Sequence, residues 1–415
     1  MSNGEMIVEQ PGWRLATRVV FRFCALYFLL YALMTQMLGA LLPLPAGSLP
    51  DVGAVMNRLV SWTGDHVFHV VAKPVLSGSG DKLYDWVLSF CLLIIAVAGC
   101  VLWSVLDRRR QRYDRLYRWF RVFLRFALGS TLIGYGFVKA FPLQMPAPQL
   151  TRLLEPFGNF SPMGVLWYSI GASFPYERFT GLVELVGGGL LFFPRTQLAG
   201  ALVCLCSAIE VFTLNMTYDV PVKLFSFHLI LMAAVLIAPY AKQLAGVVLG
   251  LRARSRWAEI AQVAFGLYLL GMSGYGASRV WAERGPSAPK PPLYGIWAID
   301  TMLIDGVERL PLITDYDRWR RVVVTNGASI VFWRMDDTSL SIGSKVNKEA
   351  KTIALTRGKE EAGDLKFDQP APDQLILEGT VDKHAVRMKT HLVDHTKFLL
   401  LSRGFHWIQE FPFNR

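Results

Sequence analysis

Residues 177–238, ERFTGLVELVGGGLLFFPRTQLAGALVCLCSAIEVFTLNMTYDVPVKLFSFHLILMAAVLIA, decide the fold. Three apolar runs follow one another here, separated only by the short connections 194–197 and 216–221. Inside the runs lie Glu184, Glu210 and His228. A charge left uncompensated in the middle of a spanning helix costs about 3 kcal/mol, so each of these residues needs a partner or a purpose.

Helical rise fixes their depth. Glu184 stands seven residues inward of Glu177, Glu210 seven before Thr217 and His228 seven beyond Pro221, a common depth of roughly 10 to 12 Å. Short connections make antiparallel neighbours. The three side chains are therefore expected within reach of one another, with at least two facing a shared cavity. Nearer the surface, Lys139, Glu177, Arg178, Tyr218, Asp219 and Lys223 form a polar collar expected to contact a ligand.

A histidine beside two buried carboxylates suits proton relay near neutral pH, because burial and neighbouring charge move the carboxyl and imidazole groups in opposite senses. The same set suits the head group of a quinone, whose reduction requires protons. Two carboxylates and one histidine make a poorer metal site. The competing reading is that Glu184, Glu210 and His228 only hydrogen-bond between helices. The run Gly187-Gly188-Gly189 reads as a close helix approach.

Working outward, the chain has 415 residues, 53% hydrophobic and 18% charged, with the apolar residues gathered in blocks. That composition indicates an α-helical polytopic membrane bundle joined to a soluble domain. The break falls near Gly285, dividing the chain into 1–284 and 285–415. Most of the net charge of +11 sits in two short loops between spans, which marks topology and argues against nucleic acid. All five cysteines, Cys24, Cys91, Cys100, Cys204 and Cys206, fall in apolar runs without a Cys-x-x-Cys, so a disulfide framework is excluded. Cys204 and Cys206, two apart on a helix, point to different sides.

About seven spans are expected: Val19–Leu42, Trp86–Leu106, Phe120–Phe141, Phe179–Phe193, Leu198–Asn215, Val222–Pro239 and Ala258–Val280. The loop holding Arg108, Arg109, Arg110, Arg112, Arg115, Arg118 and Arg121 fixes one side as cytoplasmic, and Lys242, Arg252, Arg254 and Arg256 agree. The N-terminus is then cytoplasmic and the C-terminal domain lies outside. Residues 43–85 read as a loop, and 142–176 as an interfacial helix.

After the Pro-rich linker 285–292 the period changes to two. Runs such as WAIDTML, SIVFWRM and QLILEG alternate with turn signals at Asp305-Gly306, Asn326-Gly327, Asp336-Asp337 and 370–373. This pattern predicts an all-β antiparallel barrel or sandwich of about eight or nine strands. His66 with His69, and His391 with His395, lack a third ligand and are read as surface residues, so no metal is expected. The SGSGD run at 77–81 is read as a flexible turn before a span unless Asp81 has a role.

The phrases SGSGDKLYDW (77–86), LIGYGFVKAFPLQM (132–145), LVELVGGGLL (182–191) and LNMTYDVPVKLFSFHLILMA (214–233) resemble the DoxX-like family of bacterial membrane proteins, with a core over about 120–240. The resemblance implies a multi-pass protein of the bacterial cytoplasmic membrane in a redox or quinone-linked system. It also implies a redox protein among its partners, usually as one component of several. The chain departs from the four-span pattern by extra spans and the β domain.

Tyr294-Gly295-Ile296-Trp297 is similar to the opening of lipocalin-like barrels, which implies that a late arginine, Arg403 or Arg415, stacks over Trp297. Such a barrel either encloses an apolar ligand or is filled by side chains. Three function classes stay open. The first is a quinone-linked redox component, the second a protein binding or transporting a lipid or small apolar molecule, and the third a structural assembly subunit.

Overall fold

The first span breaks where the sequence reads as continuous. In the computed structural model, which describes residues 12–41, 53–148, 150–153, 155–248, 256–284, 289–325, 329–358 and 360–415, α1 (Leu15–Met34) stops at an extended Thr35, and α2 (Met37–Leu41) starts afresh. Thr35 Oγ1 donates back to the Tyr31 carbonyl at 2.8 Å. The expected single helix Val19–Leu42 is therefore corrected. Apolar composition carries no record of such a local break.

The helices continue with α3 (Gly53–Thr63), α4 (Leu83–Leu106), α5 (Asp114–Ala140), α6 (Leu150–Leu153), α7 (Pro162–Gly171), α8 (Phe174–Phe192), α9 (Gln197–Thr217), α10 (Lys223–Ile237) and α11 (Ala241–Val248). Two of these correct the sequence reading. The stretch read as a loop before α4 contains α3. The stretch read as one interfacial helix is divided by prolines, and its longer piece, α7, begins at Pro162 with Ser161 as N-cap, whose side chain accepts from Gly164 N at 2.9 Å.

Five described helical stretches are long and apolar enough to cross a membrane: Leu15–Met34, Leu83–Leu106, Asp114–Ala140, Gln197–Thr217 and Lys223–Val247. Two of the seven expected spans fall short. The α8 helix carries Glu177, Arg178 and Glu184 within its length, and in α12 (Arg256–Arg284) the apolar part is only Val263–Met272. Five such helices mark a membrane protein. Of the basic loop cited for topology, Arg252 and Arg254 lie outside the described residues, as do residues 1–11 and the linker positions 285–288.

Helix packing around α8 rests on glycine. A Cβ on Gly188 would stand 2.7 Å from the Gly129 carbonyl oxygen of α5, and one on Gly181 2.7 Å from that of Gly136. These two pairs, seven residues apart on each helix, let α5 and α8 touch backbone to backbone. Gly187 turns to α9, where a Cβ would stand 2.9 Å from Val203, while Gly189 meets nothing within 4 Å. The glycine run is a packing device.

Two compact units result: Met1–Leu251 together with Ser402–Arg415, and Arg252–Leu401. The expected division at 284/285 left no place for the return of the last residues to the helical unit. The second unit contains α12 and nine antiparallel strands: β1 (Gly295–Ile304), β2 (Val307–Glu308), β3 (Trp319–Val324), β4 (Ser329–Arg334), β5 (Ser339–Asn347), β6 (Thr352–Arg357), β7 (Glu360–Ala371), β8 (Gln374–Val381) and β9 (His384–Val393). The short α13 (Leu399–Ser402) follows.

Apart from β2, which extends one end of β1, each strand pairs with the next, and β1 pairs with β9. An eight-stranded up-and-down barrel is thereby closed without free edges. A bulge between Ile299 and Thr301 shifts the phase of β1, so that Trp297, Ile299, Met302 and Ile304 all point inward. The barrel interior is filled by side chains, among them Trp297, Met302, Phe332, Leu365 and Met388, each at most 2% exposed. Trp297 Nε1 donates to the Leu293 carbonyl at 2.8 Å. Arg403 and Arg415, the arginines expected over Trp297, belong to the helical unit, and both lie over Phe413.

Candidate functional site

Inside the helical unit, α5, α7, α8, α9 and α10 enclose a cavity of about 140 Å³. Its wall is largely apolar and aromatic, with Tyr135, Trp167, Phe179, Leu214, Phe225 and Leu229 among the lining residues. Polar groups enter at few points, chiefly Lys139 of α5, Gln144, Glu184 of α8 and Glu210 of α9. A concave, mostly apolar site between helices with a few convergent polar groups has the form of a ligand pocket.

The glycine contact between α5 and α8 sets up the central interaction. With the backbones this close, Lys139 Nζ reaches Glu184 Oε1 at 2.5 Å, and both side chains are under a tenth exposed. The second carboxylate oxygen, Glu184 Oε2, is buried with no hydrogen-bond partner among the described residues. A buried carboxylate satisfied on one side only is held at a cost that packing alone does not explain. Gln144 Oε1, on the same cavity, is likewise buried without a partner.

Of the three residues expected to meet, Glu184 and Glu210 border this cavity together. His228 turns elsewhere. Its Nδ1 donates to the Leu224 carbonyl at 2.7 Å, so Nε2 is left to accept from the Tyr27 hydroxyl at 2.8 Å. Its ring stacks on Tyr31 at 3.8 Å between centroids and 7° between planes. His228 is a satisfied contact between α10 and α1 and is not among the residues lining the cavity. A common depth does not fix the azimuth of a side chain around its helix.

The collar residues also divide. Lys139 belongs to the cavity. Glu177 is fully buried and accepts from Met145 N at 3.0 Å, while Arg178 is exposed. Tyr218 packs beside a small cluster of Met163, Leu166 and Val220. Asp219 and Lys223 form a separate hub with groups that sequence reasoning missed.

In that hub Asp219, in left-handed backbone conformation at φ 54°, accepts from Lys223 Nζ at 3.3 Å, from the backbone N–H of His406 at 2.9 Å and from Gln409 Nε2 at 2.8 Å. Arg403 Nη2 adds an ion pair at 3.2 Å. Lys223 also faces Asp81 at 3.6 Å. Asp81, fully buried, caps α10 by accepting from Lys223 N and Leu224 N, both at 2.9 Å. Burial pushes its carboxyl above the usual carboxylate range, while those two N–H groups and Lys223 pull the other way.

The run 77–81 is thus an anchored cap and no flexible turn. Gln409 N donates to the Asp81 carbonyl at 3.0 Å, and Ser79 Oγ to the Gln409 carbonyl at 2.6 Å. The local signal for this docked segment is the loss of period-two alternation after Val393, where β9 ends.

His66, His69, His391 and His395, read as surface residues, are all exposed. His66 stacks on Trp62, and the exposed His391 pairs with Asp300 at 2.7 Å. No group of three or more metal-ligating residues exists among the described residues. Cys204 is buried and Cys206 exposed, on different sides of α9. Comparison of the chain with known protein families, with curated proteins and with solved structures finds no match.

Proposed function

We propose that this chain is a membrane protein that binds a small amphiphilic molecule with a hydroxyl-bearing head, of the quinol class, in the cavity between α5, α8, α9 and α10. The observation that carries the reading is Glu184: one oxygen is paired to Lys139 and the other is a buried acceptor without a donor, in the wall of an otherwise apolar cavity. A ligand hydroxyl supplies the donor that oxygen lacks, and the aromatic wall accommodates a flat apolar body. Lys139 offers further N–H groups to a second ligand oxygen. The same pair can take a proton from a bound hydroxyl and return it, which is the acid–base half of quinone chemistry. Membrane lipid is the reservoir from which such a molecule enters. The resemblance to DoxX-like proteins supports a place beside a redox protein in the bacterial cytoplasmic membrane, and the apolar runs with the basic loop Arg108 to Arg121 support seven spans with the β domain outside.

The test is titration of the detergent-purified protein with a short-chain quinol, followed by quenching of tryptophan fluorescence, in the natural chain and in Ala208→Phe. Ala208 lines the cavity and is 1% exposed, so a phenyl ring there fills the space. Saturable quenching that is lost in Ala208→Phe is the expected result. Equal, unsaturable quenching in both proteins would mean partition into detergent and would overturn the reading.

A further inference from the structure

A second cavity in the helical unit, about 290 Å³, lies beside the first and differs in chemistry. About half of its wall is polar, with Gln36, Ser79, Lys82, Tyr84, Asp85 and Ser89 among the lining residues. Lys82 and Asp85 form an ion pair at 3.1 Å with side chains 13% and 22% exposed, so this space is a polar vestibule at the collar end of α4. Among the described residues, only Tyr135, Val222 and Phe225 line both cavities. They are the partition between the vestibule and the space that holds Lys139 and Glu184.

Of these three side chains, two are hydrocarbon and cannot carry a proton. Tyr135 has a hydroxyl. Gln36 Nε2 donates to that hydroxyl at 2.9 Å from the vestibule side, which occupies an oxygen lone pair and leaves the hydroxyl proton free to be given. On α5, Tyr135 stands four residues before Lys139, so the two side chains share a helix face. A group that touches a polar space on one side, and on the other shares a wall with a buried carboxylate oxygen without a donor, is placed to connect them.

We propose that Tyr135 is the proton gate of the cavity: the vestibule supplies protons, and the Tyr135 hydroxyl passes them to and from the ligand held at Lys139 and Glu184. Inward, the Tyr135 O–H bond breaks as its proton moves to the ligand oxygen or to Glu184 Oε2, and the tyrosine oxygen regains a proton from hydronium in the vestibule. Outward, the Tyr135 proton leaves to vestibule water and the ligand O–H bond breaks as its proton replaces it, so no net charge stays on the ring in either direction. This inference rests on the ligand-binding reading of the same cavity. It adds the route by which the site exchanges protons without opening to bulk water, with Phe225 and Val222 as the hydrophobic seal.

An alkylated 7-hydroxycoumarin, whose phenol reports its ionisation by fluorescence, serves as the probe. Its affinity is measured at equilibrium, and the rate of its protonation after a stopped-flow pH jump is measured once bound, in the natural chain, Tyr135→Phe and Gln36→Leu. Tyr135→Phe keeps the ring and the seal. The expected result is unchanged affinity with protonation at least tenfold slower in Tyr135→Phe and a smaller slowing in Gln36→Leu. Unchanged affinity with an unchanged rate in Tyr135→Phe would overturn the gate while leaving the binding reading standing. No saturable binding to the natural chain would overturn both. Retained affinity in the variants also establishes that they are folded.

Discussion

The helical unit and the β unit place their charges in opposite ways. Among the described residues, the helical unit buries Arg22, Asp81, Arg125, Lys139, Glu177, Glu184, Asp219, Lys223 and His228, whereas the β unit buries only Arg318. In the barrel, ion pairs such as Arg357–Asp382 and Lys351–Asp368 stand on the surface, with every partner more than 40% exposed. Water drives a barrel together by burying Trp297, Phe332 and their neighbours. Helices in lipid gain little from that effect and are held by close glycine contacts and by polar groups that hydrocarbon would penalise. A buried ion pair thus means different things in the two units.

The sharpest break of that comparison is Asp219→Ala. It leaves Lys223, Arg403 and Gln409 facing a methyl group, and loss of one member of a buried charged cluster costs about 3–5 kcal/mol. Thermal unfolding in detergent should show the helical transition falling steeply while the β-unit transition stays in place. A common shift of both would contradict separate interiors.

Next in size is the glycine contact. Gly188→Leu must push α5 and α8 apart, costing about 1–3 kcal/mol by overpacking, whereas Gly189→Leu one position along meets open space and should be nearly silent. Equal effects at the two positions would show that the helices are not held by this contact.

The smallest effect belongs to the barrel surface. Asp305 accepts from His384 Nδ1 at 2.8 Å and from Ala385 N at 2.9 Å, which hold its carboxyl below the usual carboxylate range. A depressed carboxyl stabilises the folded state above its unfolded value of about 4, and that contribution is lost as pH falls further. The stability gap between the natural chain and Asp305→Asn should therefore be small at pH 6 and close on acidification. A gap that widens would reverse the assigned sign.

The same contrast explains what could be read from sequence. The barrel was legible because alternation is local: strands such as β4 and β8 show it, and in two of the expected turns Asp305, Gly306 and Asp337 stand at positive φ as their residue types suggest. Apolar blocks revealed the bundle but not the break at Thr35, since an interrupted helix can be as apolar as a continuous one. Within the site, the place of Glu184 and Glu210 on one cavity was legible. The turn of His228 toward Tyr27 was not, and Lys139 was assigned to the collar although it closes on Glu184. Those facts depend on which faces of distant helices meet. The docking of His406 and Gln409 on Asp219 joins residues 187 and 190 positions apart, a separation that leaves no local pattern.

The central claim is that the charge on Glu184 in an apolar wall serves a ligand. It is tested most directly by the dissociation constant of a short-chain quinol for the natural chain and for Glu184→Gln, measured by calorimetry in the same detergent. A hydrogen bond to a charged acceptor is worth about 1.5–3 kcal/mol, so Glu184→Gln should bind roughly tenfold to a hundredfold more weakly while unfolding as a single intact helical unit. Equal affinity in the two proteins would contradict the account and leave Glu184 as a contact between helices.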